Sequence, residues 1–160
     1  MRDRFPITPE GLKQVKAELS NLRRVERPKN LDDIAQAADH GDLKENAEYH
    51  AAKERRMFIN AQLVRFEDIV ARAQVIDPST LSGDRVIFGA KVTVYDVDTE
   101  AESTYRILSP VEADPKKGCI SYESPLARAL IGKEEGDEIA IAGGGGRQAR
   151  NLEIVSVEFG

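Results

Sequence analysis

The amino-acid sequence predicts an α+β protein made of an N-terminal antiparallel coiled-coil hairpin of α-helices and a small C-terminal antiparallel β domain with a short helix. Two stripes of apolar residues, spaced by three and four positions, run through residues 1–77, which is typical of paired helices. Turn-forming residues fill a predicted linker at 78–83, and beyond it the apolar period changes to two, which is typical of strands. We therefore expect the hairpin in 1–77 and the β domain in 84–160.

The first helix is predicted to begin at Thr8, Pro9 and Glu10. A hydroxyl cap, a proline at the first helical position and an acid in the first turn all favour a helix start. Because Pro28 has no N–H group, we expect the helix to kink or loosen there. The apolar stripe of this helix, before and after Pro28, consists of Leu12, Val15, Leu19, Leu22, Leu31, Ile34 and Ala38.

The second helix has its own apolar stripe, and the two stripes can be aligned with each other. In an antiparallel hairpin, residues that face each other have position numbers of constant sum. Val15 with Val70 and Leu19 with Phe66 share one sum, which places the bend just after Asp42. Arms of about 30 residues would make the hairpin roughly 45 Å long. The second stripe consists of Tyr49, Ala52, Ile59, Leu63, Phe66, Val70 and Ala73.

The bend contains two carboxylates whose local role has a simple structural explanation. Gly41 is suited to end the first helix, and Asp42 with Glu45 matches a capping box that would start the second. A capping box does not require a long hairpin, however, and here the two acids lie at its far end. The pattern therefore leaves two interpretations open, helix capping and chemistry at the tip.

The C-terminal half is predicted to form short strands joined by turns. A helix is predicted from Ser124 and Pro125 through Ala129, with the serine as its cap. The glycine run at 143–146 indicates a loop, because no phosphate-binding lysine or helix follows it. Cys119 is expected to be a packed strand thiol, since a single cysteine cannot form an internal disulfide. The predicted strands are 85–88, 91–95, 104–108, 119–122, 138–141 and 152–158.

The charge distribution argues for a protein partner. Residues 1–77 are neutral, and the whole formal net charge of −5 lies in 78–160, so no basic block is available to grip duplex nucleic acid. No apolar run is long enough for a membrane span or a signal peptide, and we therefore expect no membrane association and a cytoplasmic location.

Several stretches resemble the Gre family of bacterial transcript cleavage factors. The two longest are 38–54, which contains the bend, and 124–133, which is followed by Gly136 and Asp137. Shorter similar stretches lie at 7–12, 25–28, 75–77 and 86–90, so the resemblance follows the chain in order. One departure is Ala38-Asp39, at a position where the family usually has Arg-Glu.

The resemblance implies a function and assigns residues to it. The C-terminal domain would have an FKBP-like fold and bind bacterial RNA polymerase, and the coiled coil would enter the polymerase's secondary channel as a monomer. Its tip would stimulate cleavage of the 3′ end of backtracked nascent RNA, an accessory role rather than an enzyme's. No cofactor would be bound by the chain alone, and Mg²⁺ would be shared with the polymerase active site. The residues implied are Asp42 and Glu45 for catalysis and metal sharing, Lys53, Arg55 and Arg56 for RNA contact, and Ser124, Pro125, Leu126 and Arg128 for polymerase binding.

Three alternatives remain open. The first is a related factor that occupies the channel and inhibits the polymerase, which the retention of both tip carboxylates disfavours. The second is a prolyl isomerase, which would rest on the FKBP-like fold alone. The third is a metalloenzyme that uses His40, Asp42, Glu45 and His50, although a turn followed by a helix would scatter these side chains over different faces.

Overall fold

The computed structural model describes residues 3–40, 46–143 and 148–160. The chain divides into two compact units. The first contains Asp3 and Leu12–Ala73, and the second contains Arg4–Gly11 and Gln74–Gly160. The first strand and the first turn of the first helix therefore belong to the same unit as the C-terminal half.

The first unit is an antiparallel helical hairpin, as predicted. Its first arm runs through α1 (Pro9–Asn21), a π-helical segment (Leu22–Glu26) and α2 (Arg27–Ala38), and its second arm is α3 (Ala47–Arg72). The chain reverses between Ala38 and Ala47, which confirms the predicted bend. The buried apolar residues of the two arms are Val15, Leu19, Leu22, Ala37, Ile59, Leu63, Phe66 and Ile69.

Beyond Pro28 the predicted stripe is wrong by one residue. Leu31 is 47% exposed and Ala38 is exposed, whereas Asn30 and Ala37 are buried. The π-helical segment moves a regular repeat forward by one residue, because the N–H of its cap residue bonds five residues back and one extra residue enters the turn. The predicted stripe, at Leu31 and Ala38, had moved forward by two. A regular repeat would bring 29 and 36 to the seam, and the insertion replaces them with 30 and 37. Pro28 follows directly and cannot supply a regular helical hydrogen bond.

The two helix starts differ in how well they were predicted. Thr8 caps α1, since its Oγ1 accepts a hydrogen bond of 3.0 Å from the N–H of Gly11. The predicted capping box of the second helix is wrong, because α3 begins at Ala47 and Asn46 is its cap. Gly41, Asp42 and Glu45 themselves lie outside the described residues.

The second unit contains a five-stranded sheet in the order β5-β4-β3-β7-β6. Its strands are β3 (Lys91–Asp96), β4 (Glu102–Leu108), β5 (Cys119–Ser121), β6 (Glu138–Ile141) and β7 (Arg150–Glu158). The helix α4 (Pro125–Leu130) begins where the sequence predicts, with Ser124 as its cap. The core contains Val86, Val92, Val94, Ile107, Ala127, Leu130, Leu152 and Ile154.

Two details of this unit differ from the prediction. The β4 and β5 strands pair in parallel, so the sheet is not antiparallel throughout. The segment 85–88 is not a strand; Arg85 forms only an isolated bridge with Glu134, and Val86 is fixed by backbone hydrogen bonds to Gly132 and Lys133. Cys119 lies half-buried in β5 as a free thiol, which agrees with the prediction. Of the predicted glycine loop, 144–146 lie outside the described residues.

A short second sheet was not predicted. It consists of β1 (Phe5–Ile7) and β2 (Ala73–Val75), each only three residues long and so too short to show a period. The predicted linker contains a 3₁₀ turn, Pro78–Thr80, capped by Asp77. Within the described parts of the chain, no helix is both long and apolar enough to span a bilayer.

The turn after β3 is stabilised by a buried carboxylate, that of Asp96. The Oδ1 atom of Asp96 accepts hydrogen bonds from the N–H groups of Thr99 and Asp98, at 3.2 and 3.0 Å. Arg150 Nε lies 3.5 Å from Oδ2. The hydrogen bond from Thr99 lowers the pKa of Asp96 below its ordinary value of 3.8, and the contacts with Asp98 and Arg150 add to this effect although burial opposes it.

Candidate functional site

Asn46 joins the two arms at the point where they enter the bend. Its side-chain oxygen accepts a hydrogen bond of 3.1 Å from the N–H of Tyr49 and so caps α3. Its Nδ2 donates a bond of 2.6 Å to the carbonyl oxygen of Ala37, in the last turn of α2. One amide side chain therefore fixes both helix ends, between which Asp42 and Glu45 lie in sequence.

A second asparagine joins the arms farther from the bend. Asn30 is 4% exposed, and its Nδ2 donates a hydrogen bond of 2.9 Å to the carbonyl oxygen of Ala52. A groove of about 420 Å³ lies between the arms here, with Asp33, Glu48 and other polar side chains along it. A buried asparagine in a coiled-coil seam favours one register over its alternatives.

The three basic residues assigned to RNA contact have different surroundings. Lys53 lies over the ring of Tyr49, with Nζ 5.3 Å from the ring centroid. Arg55 forms an ion pair with Glu26 of the other arm and lies 5.4 Å from the centroid of the Phe58 ring. Arg56 is exposed. Of the three, Arg55 therefore has an ion-pair partner on the other arm of the hairpin.

Among the described residues, no group of three or more histidine, cysteine, aspartate or glutamate side chains could hold a metal ion. The metalloenzyme alternative is not decided by this finding, because Asp42 and Glu45 lie outside the described residues while His40 and His50 lie within them. The same two carboxylates are the proposed Mg²⁺ ligands, and their oxygen donors are of the kind that this hard cation prefers.

The candidate polymerase-binding residues lie at the start of α4. Ser124 uses its hydroxyl to accept a hydrogen bond of 3.2 Å from the N–H of Ala127, so it has a structural role as the helix cap. Leu126 packs partly against the core of the sheet. Pro125 and Arg128 are exposed and are the two members of the set that face solvent.

Two isoleucines near α4 are exposed, which the sequence did not predict. Ile87 and Ile131 are each 39% exposed. The backbone of Val86 bonds to Gly132 and Lys133, which brings the two isoleucines to neighbouring segments. Their sequence pattern resembles that of core residues, so only the structure distinguishes them. Asn46 was also missed, although an asparagine directly before a helical stretch is a typical cap.

Comparison with known proteins gives nearly complete coverage of the chain. The family model described as transcription elongation factor, N-terminal, matches residues 5–75, and the model for the C-terminal part of transcription elongation factor GreA/GreB matches 81–159. Transcription elongation factor GreA of Hyphomonas neptunium is 53% identical, with 98% of this chain and 99% of that protein covered. The factor of the same name from Brucella canis is 51% identical over the same shares.

One solved structure, the prokaryotic transcription elongation factor GreA/GreB from Nitrosomonas europaea, is 21% identical to the chain. The match covers 98% of this chain and 99% of that one, with a TM-score of 0.43.

Proposed function

The chain belongs to the GreA/GreB family of transcription elongation factors, and from this premise we propose that it stimulates cleavage of backtracked nascent RNA by bacterial RNA polymerase. The hairpin enters the polymerase's secondary channel and presents Asp42 and Glu45 to the active site. The factor is an accessory to the polymerase's own nuclease activity and not an enzyme by itself. It works as a monomer in the cytoplasm, where the polymerase is found.

The observation that carries this proposal is the double contact of Asn46. It ties the last turn of α2 to the first turn of α3, so the segment with the two carboxylates starts and ends at fixed points. Since α3 takes its cap from Asn46, the helix has no need of Asp42 for that purpose. The capping box, which had competed with a chemical role for the two carboxylates, is therefore not what starts α3.

Asp42 and Glu45 would hold Mg²⁺ jointly with ligands of the polymerase. Hydrolysis of the phosphodiester by two metals would need one ion on the attacking water and one on the leaving oxygen, and the two carboxylates would help to hold one of these ions. Mg²⁺ takes one or two carboxylates from a given donor and keeps several waters, so two acids can complete a site without forming one alone. Lys53, Arg55 and Arg56 line the path of the extruded RNA, and all three are exposed, with Arg55 also paired to Glu26.

The C-terminal unit binds the polymerase through the surface around α4. Pro125 and Arg128 offer an exposed rigid turn and a cation there. Ile87 and Ile131 supply exposed apolar area nearby. Exposed apolar side chains beside a cation are typical of a protein-binding surface.

The test uses stalled, backtracked elongation complexes and measures the release of short 3′ RNA products. The parent protein should release them, whereas Asp42→Asn and Glu45→Gln should release them much more slowly, because each change removes a negative charge from a hard-cation ligand without altering side-chain size. Added Mg²⁺ should partly restore both variants. Asp39→Asn and Glu48→Gln are matched controls on neighbouring exposed acids and should behave like the parent.

Two results would contradict the proposal. If both tip variants cleave as fast as the parent, the carboxylates have no catalytic role. If the parent releases no product and instead slows elongation, the chain is a channel-binding inhibitor.

A further inference from the structure

The carboxylate of Glu112 collects hydrogen bonds from two distant segments of the chain. It accepts from the hydroxyl of Ser109 at 2.7 Å and from the Ser109 N–H at 3.3 Å. It also accepts from the N–H of Thr8 at 3.4 Å and from the Thr8 hydroxyl. Thr8 and Glu112 are 104 residues apart in sequence. A half-buried carboxylate with four donors is a strong local constraint, because hydrogen bonds to a charged acceptor exceed neutral ones in strength.

The same cluster includes the first turn of α1. The Thr8 hydroxyl that donates to Glu112 accepts a hydrogen bond of 3.0 Å from the N–H of Gly11. Gly11 is buried, and a methyl group at its Cα would overlap the Glu112 carboxylate. Thr8 and Ser109 are 6% and 0% exposed. The glycine, the two hydroxyls and the acid therefore depend on one another.

The place of this cluster in the chain gives it a role beyond local stability. Arg4–Gly11 belong to the same compact unit as Glu112, whereas the continuation of α1 from Leu12 belongs to the hairpin. The cluster thus fixes the first turn of the helix that continues as the hairpin's first arm. A negative charge at a helix N-terminus is also favoured by the helix dipole.

We propose that Glu112 is a positioning residue for transcript cleavage. It holds Thr8 and so fixes the first turn of α1, the helix that continues as the first arm of the hairpin. This role rests on the proposed function. It predicts that loss of the cluster reduces the rate of cleavage by a bound factor more than it reduces binding to the polymerase.

The experiment compares full-length Glu112→Ala, Glu112→Gln and Thr8→Ala with the parent in backtracked elongation complexes. Two quantities are measured, the maximal cleavage rate at saturating factor and the factor concentration at half-maximal rate. The maximal rate should fall by about tenfold, because small displacements of catalytic groups are costly, while the half-saturating concentration changes by less than about twofold. Glu102→Gln, on an exposed glutamate at the start of β4, is the matched control and should match the parent.

Thr8→Ser supplies a rescue that a purely packing role would not show. It keeps the hydroxyl and should retain the parent's maximal rate. The double variant Thr8→Ala with Glu112→Ala should have the same maximal rate as Glu112→Ala alone, because the two side chains act as one coupled unit. Thermal unfolding confirms that each variant is folded. If Glu112→Ala does not fold, Thr8→Ala and Glu112→Gln are compared with the parent in the same two quantities.

The outcomes separate this inference from the proposed function. If the parent cleaves and the folded variants reach the same maximal rate, the positioning role is refuted and the cleavage function stands. A higher half-saturating concentration with an unchanged maximal rate would also refute it, because Glu112 would then serve binding to the polymerase alone. If the parent does not stimulate cleavage, both the proposed function and the positioning role fail.

Discussion

Replacing Asn46 by alanine should loosen the two helix ends at the bend. The change removes a helix cap, which typically stabilises by about 1 kcal/mol, and the hydrogen bond to Ala37, which contributes about 1 kcal/mol more. The two contacts use different atoms of one side chain, so the losses together should be about 2 kcal/mol of local unfolding free energy. At about 1.4 kcal/mol for each factor of ten, this corresponds to roughly 30-fold faster opening.

Amide hydrogen exchange at Tyr49, the residue whose N–H the cap satisfies, measures this opening directly. Asn46→Asp is the matched control, since aspartate keeps the cap acceptor but cannot donate to the carbonyl of Ala37. It should increase the exchange rate by about fivefold or less, between the parent and Asn46→Ala. Unchanged Tyr49 exchange in Asn46→Ala would refute the reasoning, and so would equal rates in the two variants.

Three further predictions follow from the described contacts. Arg56→Ala should weaken crosslinking of the factor to extruded RNA in long backtracks, and crosslinking equal to that of the parent would contradict an RNA contact by Arg56. Arg55→Ala should instead lower the stability of the hairpin, by at most about 1 kcal/mol, because it removes an exposed ion pair. The pKa of Asp96 is lowered in the folded state, so its ionised carboxylate stabilises the fold at a pH above the ordinary pKa of 3.8. This stabilisation is lost as the pH falls through the pKa of the folded state. The Tm difference between the parent and Asp96→Asn should therefore shrink in acid, and a constant difference would contradict it. Replacing residues 12–72 by a short flexible linker keeps both β1 and its partner β2 and should preserve polymerase binding in a pull-down. Deleting 1–77 removes both strands and should weaken binding. The reverse order would show that this short sheet is dispensable.

The base of the hairpin could be predicted because both arms carry a regular apolar repeat there. Leu19 and Phe66, which the alignment of the stripes places face to face, are both buried. Burial of such residues is set by spacing alone, which a sequence displays directly. The bend followed from the same alignment, since it needs only the two repeats and not the residues between them.

The distal part of the hairpin could not be predicted in the same way. The π-helical segment adds a residue to one turn, and a repeat counted in sevens cannot show where such an insertion falls. The seam therefore contains Asn30, one residue beyond a strict repeat, whereas a choice based on apolar residues alone selects its neighbour Leu31. The cap was misplaced for a related reason, because Asp42 and Asn46 are both acceptable caps and only the position of the helix start distinguishes them.

In the β-sheet unit, length decided what could be predicted. The β3 and β7 strands are long enough to show alternation, and α4 has a typical serine-proline start. The β1 strand has three residues and acquires its partner from the other end of the hairpin, so nothing local indicates it. The contact between Thr8 and Glu112 is likewise invisible in sequence, because it depends on how two segments 104 residues apart are brought together.

The two halves of the hairpin are held by different forces, and this bears on the proposed role of the tip. In the half nearer its base, large apolar residues such as Leu22 and Ile59 are buried, and the hydrophobic effect that favours their burial has no directional preference. Toward the bend, the seam contains Asn30 opposite Ala52, and directional hydrogen bonds replace apolar area. A slip of one residue along a helix displaces its end by about 1.5 Å. Misplacement by about 1 Å can reduce a catalytic rate a hundredfold. An arm that must deliver two carboxylates therefore gains more from asparagines that permit one register than from leucines that would stabilise several.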